Sequence, residues 1–140
     1  MGEKRLITFS ISKHRFAAPI DEIREVVSAD AVMPVPGARR PLLGLLPYRG
    51  HTVLPVFSLL DLLGDRSGES GNLVIVAASP GGPVGFRVRQ MGGVMMLSAG
   101  EQEVVPYEGD LGAGTGAVTA LLKRTGGEYI ILDIGKLFTS

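Results

Sequence analysis

A twelve-residue pattern occurs twice in this chain at a fixed separation. Residues 16–27 read Phe16-Ala17-Ala18-Pro19-Ile20-Asp21-Glu22-Ile23-Arg24-Glu25-Val26-Val27, and residues 84–95 read Val84-Gly85-Phe86-Arg87-Val88-Arg89-Gln90-Met91-Gly92-Gly93-Val94-Met95. The offset is 84 − 16 = 68, and at that offset Leu6-Ile7 also falls on Val74-Ile75. Both copies run apolar, small, two variable, apolar, two variable, apolar, two variable, two apolar. Each half closes with a strand running into a short helix, Val56 to Leu63 and then Ile131 to Phe138. Two amphipathic hairpins can match by chance, but a constant offset over a dozen positions favours a duplicated unit.

The unit is built of strands. Chain-breaking residues are dense, with 20 Gly and 9 Pro in 140 residues, which suits short strands and turns rather than long helices. Arg5 to Ser12 alternates, with Ile7, Phe9 and Ile11 on one face. Arg15 to Ile20 is a second strand, Asp21 to Arg24 a helical turn, and Glu25 to Val27 is extended again, as is Ala31 to Val35. Leu42 to Tyr48 and Thr52 to Val56 flank the turn Arg49-Gly50-His51. Ser58 is a good N-cap for a helix over Leu59 to Leu63, which Gly64 stops. Asp65 to Gly71 reads as a polar loop. Strands follow at Leu73 to Ala77, Val84 to Val88 and Val94 to Leu97. Tyr107 to Gly116 is a glycine-rich loop. Val118 to Leu122 and Glu128 to Leu132 form a hairpin, and Asp133 caps a last helix, Ile134 to Phe138.

Two copies of about five short strands predict two small barrels, because closure removes exposed strand edges. Lobes this small bury little each, so they should pack together and leave a groove at their seam.

Several function classes fall away. Lys plus Arg and Asp plus Glu are 14 each, so the formal charge is zero, against a nucleic-acid binder or a polybasic membrane anchor. With no cysteine, disulfides, thiolate chemistry and Cys-based metal sites are excluded. The N-terminus lacks a signal peptide's apolar core, and Leu42 to Leu63 is broken by Arg49, His51, Asp61 and two prolines, so no membrane insertion is expected. His14 and His51 lie in predicted turns with no partner at ligand spacing. Gly112, Gly114 and Gly116 lack the strand-to-helix setting of a phosphate loop. Asp61 and Asp133 read as polar residues at helix starts rather than paired catalytic carboxylates. No catalytic residues, metal or cofactor are assigned.

Two residues remain. Arg49 stands at the tip of an apolar hairpin, flanked by Tyr48 and Gly50, and is either a solvated turn residue or a fork-shaped donor for a partner's carboxylate. Glu25 lies between Ile23 and Val26, either as the outward residue of an alternating strand or as a polar point in an interface.

The segment Leu42-Leu43-Gly44-Leu45-Leu46-Pro47-Tyr48-Arg49-Gly50-His51-Thr52-Val53-Leu54-Pro55-Val56-Phe57-Ser58-Leu59 resembles the signature of the CheW coupling proteins: a glycine, a short apolar strand, Asn-Leu-Arg-Gly, then Val-x-Pro-Val-x-Asp-Leu. Phe16 to Val27, Val84 to Met95 and Tyr129 to Phe138 resemble three further segments of that family, in the same order. The resemblance implies a mostly β fold of two five-stranded SH3-like barrel lobes with short helices closing each half. It implies one domain over residues 1–140, with lobes near 15–70 and 71–125 between which terminal strands can exchange. It implies a cytoplasmic, non-enzymatic adaptor that bridges the cytoplasmic tips of chemoreceptors and the regulatory domain of a CheA-type histidine kinase. The receptor-facing roles fall to Arg49 and Glu25, with Gly50, Ile23 and Val26 beside them. The sequence departs from the family pattern at Pro47-Tyr48, Ser58, Arg89 and Ala120, and it stops at Ser140 without room for a trailing helix. These departures point to a divergent member serving a flagellar or another chemosensory pathway. A small-molecule module using the seam is the alternative.

Overall fold

The computed structural model describes all residues except 1–3, 66–70, 98–101, 114 and 139–140. Most of the predicted loop at 65–71, the middle glycine of the 112–116 run and the C-terminal end therefore lie outside the described residues.

The described residues form eleven strands: β1 (Lys4–Ile11), β2 (His14–Pro19), β3 (Ile23–Ser28), β4 (Leu42–Pro47), β5 (Val53–Phe57), β6 (Leu73–Ser79), β7 (Gly82–Val88), β8 (Gln90–Leu97), β9 (Gln102–Val105), β10 (Val118–Arg124) and β11 (Gly127–Leu132). One short helix, α1 (Leu59–Leu62), follows β5, and a 3-10 turn, Ile134–Phe138, follows β11. Ser58 caps α1 as expected, its side chain accepting from the Asp61 amide. Ala31 to Val35 is not a strand. A 3-10 turn over Ala29–Ala31 precedes a single bridge between Met33 and Leu45.

The strands make two sheets, ordered β8-β1-β2-β11-β10-β9 and β3-β6-β7-β5-β4. Pairing β1 with β6, β2 with β7, β8 with β3, β11 with β5 and β10 with β4 turns one order into the other, with β9 left over. The pairing is antiparallel except at β11–β2 and β5–β7, which are equivalent places. The duplication read from the sequence is thus present in the topology, and the two SH3-like, mostly β lobes are there. The second sheet has the expected five strands; the first carries a sixth, β9. The sheets cut the sequence at other points than lobes of 15–70 and 71–125 would. The first takes residues 4–19 and 90–132, and the second lies between them at 23–88.

Three apolar clusters hold the fold. Leu46, Leu54, Val56, Val74 and Val76 fill the second barrel, and Leu6, Ala17 and Leu122 fill the first. The largest cluster lies between the sheets, where Phe9, Ile11 and Phe16 meet Ile75, Phe86 and Val88, with α1 adding Leu59 and Leu60 and its C-cap adding Leu63. Most of the facing surfaces are closed by this cluster, because each lobe encloses little by itself. What is open at the seam is a cavity of about 300 Å³ at one end, lined by Lys13 and His14 from the β1–β2 hairpin of the first sheet and by Leu63, Gly64 and Asp65 after α1.

Pro47 illustrates how the sequence sets an edge. It has no amide proton for a ladder, and it ends β4, the outermost strand of its sheet.

Candidate functional site

The β4–β5 hairpin presents the first candidate. Its turn is a 3-10 piece, Arg49–His51, in which Gly50 takes φ 62 and ψ 40 and His51 takes φ 65. Left-handed backbone of this kind is open to glycine at little steric cost, which explains a glycine directly after the arginine. The Tyr48 amide donates to the Thr52 carbonyl at 2.8 Å, and Thr52 Oγ1 donates to the Arg49 carbonyl at 2.5 Å. The tip that carries Arg49 is therefore held from both sides.

Strand β3, at the opposite edge of the same sheet, brings the second candidate. Its odd positions are half-buried and its even ones exposed, so Glu25 turns toward the barrel mouth while Val26, 36% exposed, faces out. The Tyr48 hydroxyl donates to Glu25 Oε2 at 2.5 Å, and Arg49 Nη2 lies 2.9 Å from the same oxygen. The Arg49 guanidinium carbon also sits 5.7 Å from the centre of the Tyr48 ring. Tyr48 reaches this place because the body of its ring packs against the core of the second barrel.

The electrostatics follow from these contacts. The Tyr48 hydroxyl first, and the Arg49 charge after it, hold the Glu25 carboxyl below the usual carboxylate range against partial desolvation. The same hydrogen bond raises the Tyr48 phenol. At neutral pH the cluster is one carboxylate shared by a phenol and a guanidinium, and Arg49 keeps most of its surface open, with its side chain 77% exposed. The guanidinium therefore has hydrogen-bond donors to spare.

The structure thus brings Arg49, Glu25 and Gly50 onto one rim. Ile23 lies elsewhere: it is half-buried against the core between the sheets. Tyr48 is the member that sequence reasoning missed as a participant. An aromatic with a hydroxyl next to the turn arginine was the available signal, but its partner lies 48 − 25 = 23 residues away and is fixed only by the fold.

Other candidates settle into structural roles. Asp61 is paired by Arg40, whose guanidinium also reaches Ser58 Oγ at 3.3 Å. His14 Nε2 sits 2.9 Å from Asp65 Oδ2. The final turn receives its cap from afar, as the Ile134 amide donates to Glu22 Oε1 at 3.0 Å. Among the described residues no group of three potential metal ligands converges, and no helix is long and apolar enough to cross a membrane.

The CheW-like domain profile matches residues 5–140. The chain belongs to the CheW-like family. A chemotaxis protein CheW of Thermotoga maritima is 28% identical to this CheW-like chain over 138 residues, covering 98% of the chain and 89% of that protein. The crystal structure of the scaffolding protein TtCheW from Thermoanaerobacter tengcongensis is similar with a TM-score of 0.80 at 21% identity, covering 99% of this chain and 94% of that one. As a CheW-like protein the chain is a chemotaxis scaffold or adaptor and not an enzyme. One departure from the family pattern gains a physical reading: Ser58 stands where the family has aspartate, and both are strong N-cap residues, so the cap of α1 survives the change.

Proposed function

We propose that this chain couples the cytoplasmic tips of chemoreceptors to the regulatory domain of a CheA-type histidine kinase, in the cytoplasm. In this reading Arg49, Glu25, Gly50 and Val26 form the receptor-facing rim, and Ile23 supports β3 from the core side. The observation that carries it is the meeting of Glu25 and Arg49 on one exposed rim, 2.9 Å apart, from opposite edges of a sheet. The resemblance of the motif segments to the family implies one partner for both residues, and their contact supports a shared epitope. An exposed guanidinium beside a fixed carboxylate and an exposed valine offers directional polar contact and apolar area together.

The test is titration of the purified chain with a receptor signalling-tip fragment and, separately, with the kinase regulatory domain. Saturable binding to each is expected. Binding to neither at high micromolar concentration would refute the proposal.

A further inference from the structure

The duplication gives the Glu25–Tyr48 corner a counterpart in the first sheet, and its chemistry is inverted. By the strand ladders, Pro47 opposite Val53 corresponds to Lys123 opposite Glu128, which sets Tyr48 against Arg124. The offset of 68 sets Glu25 against Gly93. The second sheet therefore has a carboxylate at this corner facing a phenol. The first has a guanidinium facing a glycine.

That exchange opens space. A cavity of about 280 Å³ lies between Gly93 and Arg124, walled by Thr8, Met95 and Tyr129. A second cavity of about 110 Å³ shares Thr8 and Tyr129 and continues along β8 past Gly92 and Met91 to Gln90. Among the described residues, Arg124 is the one charged residue lining the two. Arg15, which lines neither cavity, sits 5.0 Å from the centre of the Tyr129 ring. Among the described residues no carboxylate pairs with Arg124, whose recorded contact is the Met95 sulfur at 3.4 Å. On the outer side of β8, Val94 and Met96 are 54% and 41% exposed.

We propose that this groove binds an extended acidic peptide segment of a partner protein. A partner carboxylate fills the place beside Arg124 that Glu25 fills by the chain's own means at the equivalent corner. Aliphatic neighbours of that carboxylate cover Tyr129 and Met91 along the groove and the exposed residues of β8 beside it. The two cavities share Thr8 and Tyr129 and follow one another along β8, which suits an extended backbone, and the charge suits Glu or Asp. The site is on the other sheet from Arg49 and does not depend on the receptor reading.

The probe is a blocked decapeptide of alternating valine and threonine with one central glutamate, with a glutamine twin, titrated into the ¹⁵N-labelled full chain. The expected result is amide shifts at Gly93, Val94 and Gly126, with the glutamine twin and Arg124→Ala each binding about tenfold more weakly. A Cβ on Gly93 meets nothing within 4 Å, so this position accepts a side chain. Gly93→Glu should supply the missing carboxylate internally and abolish binding, whereas Gly93→Gln should preserve it. Arg49→Glu should leave the titration unchanged. Equal binding of the two peptides, equal loss in both Gly93 variants, or no shifts at millimolar peptide would each overturn the proposal. Saturation of the same amides by succinate as readily as by the peptide would overturn it too.

Discussion

Arg49 Nη2 and Glu25 Oε2 lie 2.9 Å apart, joining the tip of the β4–β5 hairpin to the edge strand on the far side of the same sheet. The Arg49 side chain is mostly solvated, so the pair adds little to the fold, and what it fixes is the direction of the guanidinium. Arg49→Glu should therefore weaken binding of a receptor-tip fragment at least about tenfold while the thermal midpoint stays within about 2 °C. An unchanged dissociation constant would remove Arg49 from the interface.

Two glutamates should titrate on opposite sides of the ordinary carboxylate range. Tyr48 and then Arg49 hold Glu25 low, so its stabilising contribution is present above the ordinary range and is lost as pH falls through the lowered value. Burial holds Glu22 high, against the Ile134 amide that it accepts from. Its contribution is present below the ordinary range and is lost as pH rises through the raised value. Carboxyl ¹³C shifts followed against pH should give the order Glu25 below Glu22. Tyr48→Phe should move Glu25 upward and leave Glu22 where it is.

Gly85 and Gly93 make a contrasting pair. A Cβ on Gly85 would stand 2.7 Å from Val74 Cγ1 and 3.0 Å from Leu54 Cδ1, inside the second barrel. Gly85→Ala should cost about 1–3 kcal/mol in urea unfolding. Gly93→Ala, in open space, should stay within about 0.5 kcal/mol. Equal costs would mean that the barrel interior yields more than its packing implies.

Leu60 is fully buried in α1, within the cluster between the sheets. Leu60→Ala should lower stability by about 2–5 kcal/mol in chemical denaturation, with both lobes losing structure in one transition. Separate transitions for the two sheets would show that the shared core does not couple them.

A strand with clean alternation is legible because a buried face imposes a period of two, as in β5. In β1 the alternation of residue types was legible, but a register shift between Ile7 and Phe9 leaves both Thr8 and Phe9 buried. Strand β8 was read only from Val94 onward, because Gly92 and Gly93 look like turn residues. Gly92 is there for closeness: a Cβ would collide with Thr8 Oγ1 on the neighbouring strand. Strand β9 escaped because four residues at a sheet edge carry too little pattern. At the site, Arg49 and Glu25 could be singled out as polar residues in apolar company, but their contact and the part of Tyr48 depend on which strand edges the fold sets across one barrel mouth. How much of the seam stays open was not legible, because periodicity says which faces are apolar and not how tightly two of them close.

The second sheet lies, in sequence, inside the first. The chain consequently passes between the lobes twice, once at Ile20–Glu22 and once at Arg89. The first passage is pinned by the bond from Ile134 to Glu22, and the second by the Arg89 amide donating to the Ser10 carbonyl at 2.9 Å. A single tether would let one lobe swivel about the other; two, with a solid core between them, remove that freedom. The molecule then behaves as a rigid spacer, so whatever docks on one lobe is held at a set distance and angle from whatever docks on the other.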